Sequence, residues 1–68
     1  MAQYWVNKNP GTGGDHEVHR AGCDWMPQYR EYLGDFGSCQ PAVAEAKRKG
    51  YAKANGCIHC SPACHVGS

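Results

Sequence analysis

The sequence predicts a small α+β domain: a β-hairpin and a third strand with one helix packed on the sheet. Two short runs of aromatic and β-branched residues flank a stretch containing a Pro-Gly and a Gly-Gly, which is a hairpin pattern. One alanine-rich segment carries both a helix start and a helix stop. Five cysteines sit in only 68 residues. A chain of this length forms one domain, residues 1–68, and buries too little surface for an apolar core alone to hold it, so a staple is expected.

Residues 3–7, QYWVN, read as the first strand, and KNPGTGGD supplies the turn. The return strand is HEVHR, residues 16–20. Period-2 alternation puts His16 and Val18 on one face, with Val18 toward the core, and Glu17 and His19 on the other. Gly22 and Pro27 mark a loop, and residues 29–36, YREYLGDF, form a third strand whose alternation is imperfect. A helix is expected from about Pro41 to Lys49. Ser38 or Gln40 precedes a first-turn proline, Glu45 faces Lys49 one turn on, the end is basic and Gly50 stops it. Cys39, Ala42, Val43 and Ala46 fall on one narrow stripe that can sit closely on the sheet. Tyr51 is placed to fold back on the helix end. Gly67-Ser68 reads as an appended tail.

The cysteines carry the chemistry. Cys57-Ile58-His59-Cys60 is a CxxC, whose tight turn aims two sulfurs at one ion, and a tetrahedral Zn2+ needs two further ligands. His19 and Cys23, separated by three residues, supply them from the end of a strand and the turn after it. One structural zinc on His19, Cys23, Cys57 and Cys60 closes a loop across most of the chain, as a domain with little core requires. Five cysteines cannot all pair within the chain, whereas this set leaves two over, Cys39 and Cys64. Those two are either a disulfide under oxidation or free, and burial of a free Cys39 is the expectation. Cys64 and His65 compete as ligands: Cys57, Cys60 and Cys64 can wrap one ion with Cys23 or His19 as the fourth.

Other readings of these residues fit less well. A redox dithiol opens a helix after a strand in a larger βαβ domain, haem attachment needs CxxCH, and the cysteine spacings match neither ferredoxin run. His16 and His59 read as solvated side chains. No GxSxG, P-loop or HExxH is present, and no enzyme is expected.

Seven Lys and Arg against six Asp and Glu give a net charge of +1. Zn2+ held by three thiolates and a neutral imidazole removes one more positive charge, so the whole-chain balance offers a nucleic acid nothing and only a local patch can. Arg20, Lys47, Arg48, Lys49 and Lys53 are candidates for such a patch, with Tyr4, Trp5 and Trp25 as stacking surfaces. Cations at a helix end also have a plain explanation in the helix dipole. There is no signal-peptide pattern and no apolar run of membrane-spanning length, clustered thiols suit the cytoplasm, and a monomer without membrane contact is expected.

The order HRAGC, then LGDFGSCQPAVAEAKRKGY, then CIHC resembles the small Ada-type metal-binding module over about residues 16–60, in an HxxxC…CxxC variant. The resemblance implies a zinc-holding α+β fold in which Cys23, Cys57 and Cys60 match three of the four ligand cysteines. In that family the first cysteine accepts a methyl group from a DNA phosphotriester. His19 stands at that position, so methyl transfer is not carried over. The extra Cys39 and the PACH tail depart from the pattern. The function expected is that of a zinc module acting by binding, to nucleic acid or alternatively to protein, with a zinc-thiolate alkyl acceptor as the third reading.

Overall fold

The computed structural model describes residues 1–66; Gly67-Ser68, expected to be an appended tail, lie outside them. The elements in chain order are β1 (Ala2–Asn7), β2 (His16–Arg20), β3 (Arg30–Phe36), α1 (Cys39–Arg48) and β4 (Ala54–Gly56), with 3-10 turns at Thr12–Gly14 and Pro62–Cys64. The four strands form one sheet in the order β3-β1-β2-β4. It is a small α+β fold, as the sequence predicts.

The hairpin forms between β1 and β2, antiparallel, with Tyr4 opposite Arg20, Trp5 opposite His19 and Val6 opposite Val18. Val6 and Val18 are fully buried and lie in the core with Tyr4, Leu33, Cys39, Ala42, Ala46 and Ala54. On β3 the pairing jumps from Gly34 opposite Tyr4 to Tyr32 opposite Trp5. Leu33 is therefore the extra residue of a bulge, and the imperfect alternation of YREYLGDF has its cause there. The bulge sends Leu33 into the core while Tyr32 meets Trp5 with ring centroids 5.3 Å apart.

The helix begins at Cys39, two residues before the expected Pro41, because Ser38 already has extended backbone and a proline fits within the first turn. It ends as the sequence indicates. Gly50, at φ 109°, takes the left-handed position after Lys49, and the Tyr51 N–H donates to Ala46 O at 3.0 Å while the Gly50 N–H donates to Lys47 O at 3.1 Å. Those two bonds are a Schellman closure. Tyr51 is thereby turned back, and its hydroxyl donates to Glu31 Oε1 at 2.7 Å. Cys39, Ala42 and Ala46 are buried on the sheet, and their small side chains allow the close approach.

Strand β4 is the element that the sequence does not announce. Its three residues run parallel to β2, with His16 opposite Ala54 and Val18 opposite Gly56. Ala, Asn and Gly are poor strand formers, so tertiary pairing and not local preference makes this strand. Gly56 is required for another reason: a Cβ there would lie 2.6 Å from Cys64 Cβ and 2.7 Å from Ser61 O. The Pro62–Cys64 turn thus packs directly on the β4 backbone. Asn55 fastens the chain beyond that turn, donating to Val66 O at 2.8 Å and accepting from the Val66 N–H at 2.8 Å.

Cys39 and Cys64 are joined by a disulfide across 25 residues, with Cα atoms 6.2 Å apart. This corrects the expectation of two free thiols. Once β4 lies beside β2 and the chain turns back over Gly56, Cys64 reaches the first residue of α1, a juxtaposition created by an element that local sequence does not reveal. His16 is also not simply solvated: its Nδ1–H donates to Asn7 O at 3.0 Å and its ring lies 4.9 Å from that of Tyr51.

Candidate metal centre

The backbone brings together two residue pairs that are distant in sequence, through the neighbouring strands β2 and β4 and the turns that follow them. His19 is the fourth residue of β2, and a turn closed by the Cys23 N–H to Arg20 O (3.1 Å) carries Cys23 back beside it. Cys57 extends the β2–β4 ladder by one rung, its N–H donating to Val18 O at 3.0 Å. The Ser61 N–H then donates to Cys57 O at 2.7 Å and closes the CxxC turn, so that Cys60 faces the same point.

One ligand atom from each of His19, Cys23, Cys57 and Cys60 lies within 4.8 Å of the others, and this group can hold a metal ion. Cys23 Sγ is 3.9 Å from Cys57 Sγ and 3.5 Å from His19 Nδ1. A tetrahedron with bonds of about 2.3 Å to sulfur and about 2.0 Å to nitrogen has edges of about 3.8 and 3.5 Å, so these spacings fit a tetrahedral ion. The other imidazole nitrogen, Nε2, is 3.5 Å from Glu17 Oε1. A carboxylate behind a ligating histidine fixes its tautomer and its orientation.

Comparison of the chain with protein-family models, curated proteins and solved structures gives no match.

The ionisation of the four groups follows from burial and from their nearness to one another. Burial lowers the pKa of His19, with Glu17 acting in the opposite sense, which keeps the ring in the neutral form a metal requires. Cys23 is pushed up to about 12, first by burial and then by its hydrogen bond with Cys60. Burial also raises Cys57, against backbone N–H donors at Cys60 and His59. Burial works to raise Cys60 as well, but hydrogen bonds from the Arg20 N–H and from Cys23, Ser61 and Cys57 outweigh it and the thiol is shifted down. The Arg20 N–H lies 3.2 Å from Cys60 Sγ. Three thiolates this close repel one another, and a cation among them favours the ionised form of all three.

Sequence reasoning missed Glu17 and the Arg20 amide. The signal for Glu17 was present, since residues two apart on a strand share a face. Nothing local indicates the amide. The competing ligands lie outside the group: Cys64 is bonded to Cys39, and His65 Nδ1–H donates to Gly56 O at 3.1 Å. His59, inside the CxxC, is stacked on Trp25 with centroids 4.6 Å apart and an interplanar angle of 19°. That pair lines a cleft of about 400 Å3 with Cys23, Cys60, Arg20 and Asp24.

The five basic residues expected to form one face are distributed over two clefts and the end of α1. Arg20 borders the cleft beside the cysteines, whereas Lys47 and Lys53 line a different one with Asp15 and Asn55. Arg48 is paired with Glu45 at 2.9 Å, and Lys49 lies 3.6 Å from Glu31 and 3.9 Å from Glu45. Among the described residues no helix is long and apolar enough to cross a membrane.

Proposed function

We propose that the chain is a monomeric zinc-stabilised module that acts by binding a partner and not by catalysis. The observation that carries this reading is the four-ligand group itself, with His19 Nδ1 toward Cys23 and Nε2 toward Glu17. Three sulfurs and an imidazole suit Zn2+ among the common divalent ions, and four protein ligands make a closed structural site with no position left for substrate. The resemblance to the Ada-type module supports the same ligand order, with His19 in place of the alkyl-accepting cysteine; the alkyl-acceptor reading is the weakest for that reason.

The partner this surface fits best is another protein. Trp25, Tyr29 and Tyr32 are 62%, 59% and 46% exposed, and large aromatics at a surface are characteristic anchors of protein interfaces. Nucleic acid is the second reading. It rests on two cations lying over rings, Arg30 at 5.6 Å from Trp5 and Lys8 at 5.1 Å from Tyr29. The carboxylates beside Arg48 and Lys49 weaken it. Binding to a nucleic acid falls steeply with added salt, and an aromatic protein contact does not. Disulfides persist in oxidising compartments, so the Cys39–Cys64 bond argues against the cytoplasmic location expected from the thiols.

Native mass spectrometry before and after a strong chelator tests the central claim. One zinc per single chain, and loss of the folded circular-dichroism spectrum on its removal, is the expected result. A chain isolated without metal, or equally well folded after stripping, overturns it.

A further inference from the structure

The Cys39–Cys64 disulfide and the metal centre grip the same short piece of backbone from two sides. Gly56 lies between them. On one side Cys64 Cβ rests 2.6 Å from the place where a Gly56 side chain would begin, and His65 Nδ1–H donates to Gly56 O at 3.1 Å. On the other side the next residue is Cys57, whose sulfur faces Cys23 at 3.9 Å. The disulfide loop, residues 39–64, contains both Cys57 and Cys60, while His19 and Cys23 lie outside it. The two cross-links therefore interlock: the disulfide fixes the ligand pair that the metal must join to β2.

We propose that the Cys39–Cys64 pair is a redox site coupled to metal binding, such that the oxidised chain holds its ion more tightly than the reduced chain. This rests on the proposed metal centre. The reductant is a small thiol: two thiols give up two electrons and two protons, the S–S bond breaks, Cys39 and Cys64 become thiols, and the reductant leaves as its own disulfide. Cys39 is the buried first residue of α1, so breaking the bond frees the Pro62–Cys64 turn from the helix. Among the described residues, that turn is then held to β4 by its packing on Gly56 and by the His65 and Asn55 hydrogen bonds, without the covalent tie to α1. A CxxC that must be ordered as the ion arrives binds more weakly than one held ready. Linkage makes the effect reciprocal: bound metal must make the disulfide harder to reduce by the same factor.

Two measurements test it. Competition with a chromophoric chelator compares Zn2+ affinity in the native chain and in the Cys39→Ser/Cys64→Ser double variant, with Cys39→Ala/Cys64→Val as a second pair that keeps the contact apolar. Both variants are expected to bind at least about fivefold more weakly, the lower end of ordinary coupling between sites. The second measurement equilibrates the intact chain in graded glutathione buffers, with and without bound zinc, and counts alkylated Cys39 and Cys64 by mass spectrometry. The zinc-bound chain is expected to need the more reducing buffer. A chain that binds one zinc but shows unchanged affinity in both variants and the same reduction midpoint with and without metal overturns the coupling and leaves the metal centre standing. A chain that takes up no zinc overturns both.

Discussion

Glu17 and His19 stand two residues apart on β2, and the carboxylate lies 3.5 Å behind the imidazole nitrogen that faces away from the cysteines. His19 is buried while Glu17 stays partly in solvent, so the pair joins an enclosed ligand to an accessible charge. Replacing Glu17 with Gln keeps the shape and removes the charge; replacing it with Ala removes the anchor. Loss of such a partner typically costs about 10–100-fold in metal affinity, so Glu17→Ala is expected to weaken zinc binding by at least about tenfold, and Glu17→Gln by less. Competition with a chromophoric chelator measures both, and an unchanged affinity in Glu17→Ala would show that the carboxylate does not support the ligand.

The ligand set itself is open to a spectroscopic check. Cobalt(II) in place of zinc absorbs differently for three sulfurs and one nitrogen than for four sulfurs. His19→Cys is expected to keep the ion and move the absorption toward the four-sulfur pattern, since it adds a fourth thiolate. His19→Ala is expected to lose tight binding. A His19→Cys spectrum identical to that of the unaltered chain would show that His19 is not a ligand.

Gly56 offers a prediction about packing. A methyl group there meets backbone atoms, Ser61 O at 2.7 Å and Cys64 C at 2.8 Å, as well as Cys64 Cβ, and none of these is the flexible end of a side chain. Overpacking of this kind costs about 1–3 kcal/mol, so Gly56→Ala is expected to lower the stability of the zinc-loaded chain by about 2 kcal/mol in urea unfolding. Stability unchanged within error would mean that the Pro62–Cys64 turn does not press on β4.

Tyr51 and Glu31 give a pH-dependent test away from the metal. The hydrogen bond to Glu31, aided by burial, pushes the Tyr51 hydroxyl up to about 12, and the same bond draws the Glu31 carboxyl down. A tyrosine raised in the folded state contributes stability that is complete below its unfolded value, about 10, and is lost as pH climbs through about 12. In Glu31→Gln the ultraviolet titration of Tyr51 is expected to move back toward about 10. A midpoint that stays near 12 would assign the shift to burial alone.

Much of this fold and most of its candidate centre were legible because they rest on local rules. The hairpin followed from two β-rich runs around glycine turns, the helix stop from Gly50, and the ligand group from an HxxxC and a CxxC that a single ion can join. The parts that were not legible depend on distant segments of the chain. Ala54–Gly56 becomes a strand only because β2 offers it an edge, and Cys64 finds Cys39 only because that strand exists. The distribution of the basic residues also depends on distant segments. Arg20 lines a different cleft from Lys47 and Lys53, and Glu31 and Glu45 lie beside Arg48 and Lys49.

The parallel pairing of β4 with β2 bears on how quickly the centre can exchange its ion. Parallel neighbours need a long connection, and here it comprises a strand and the helix, so half of the ligands sit beyond a crossover that must be in place before the cage exists. Cys57, the buried cysteine of the group, has its backbone held to β2 by the bond to Val18 O. Parting of that rung would carry Cys57 away from the other three residues, so a local opening of the sheet is one route by which a bound ion would leave, and amide-hydrogen exchange at Cys57 reports that opening.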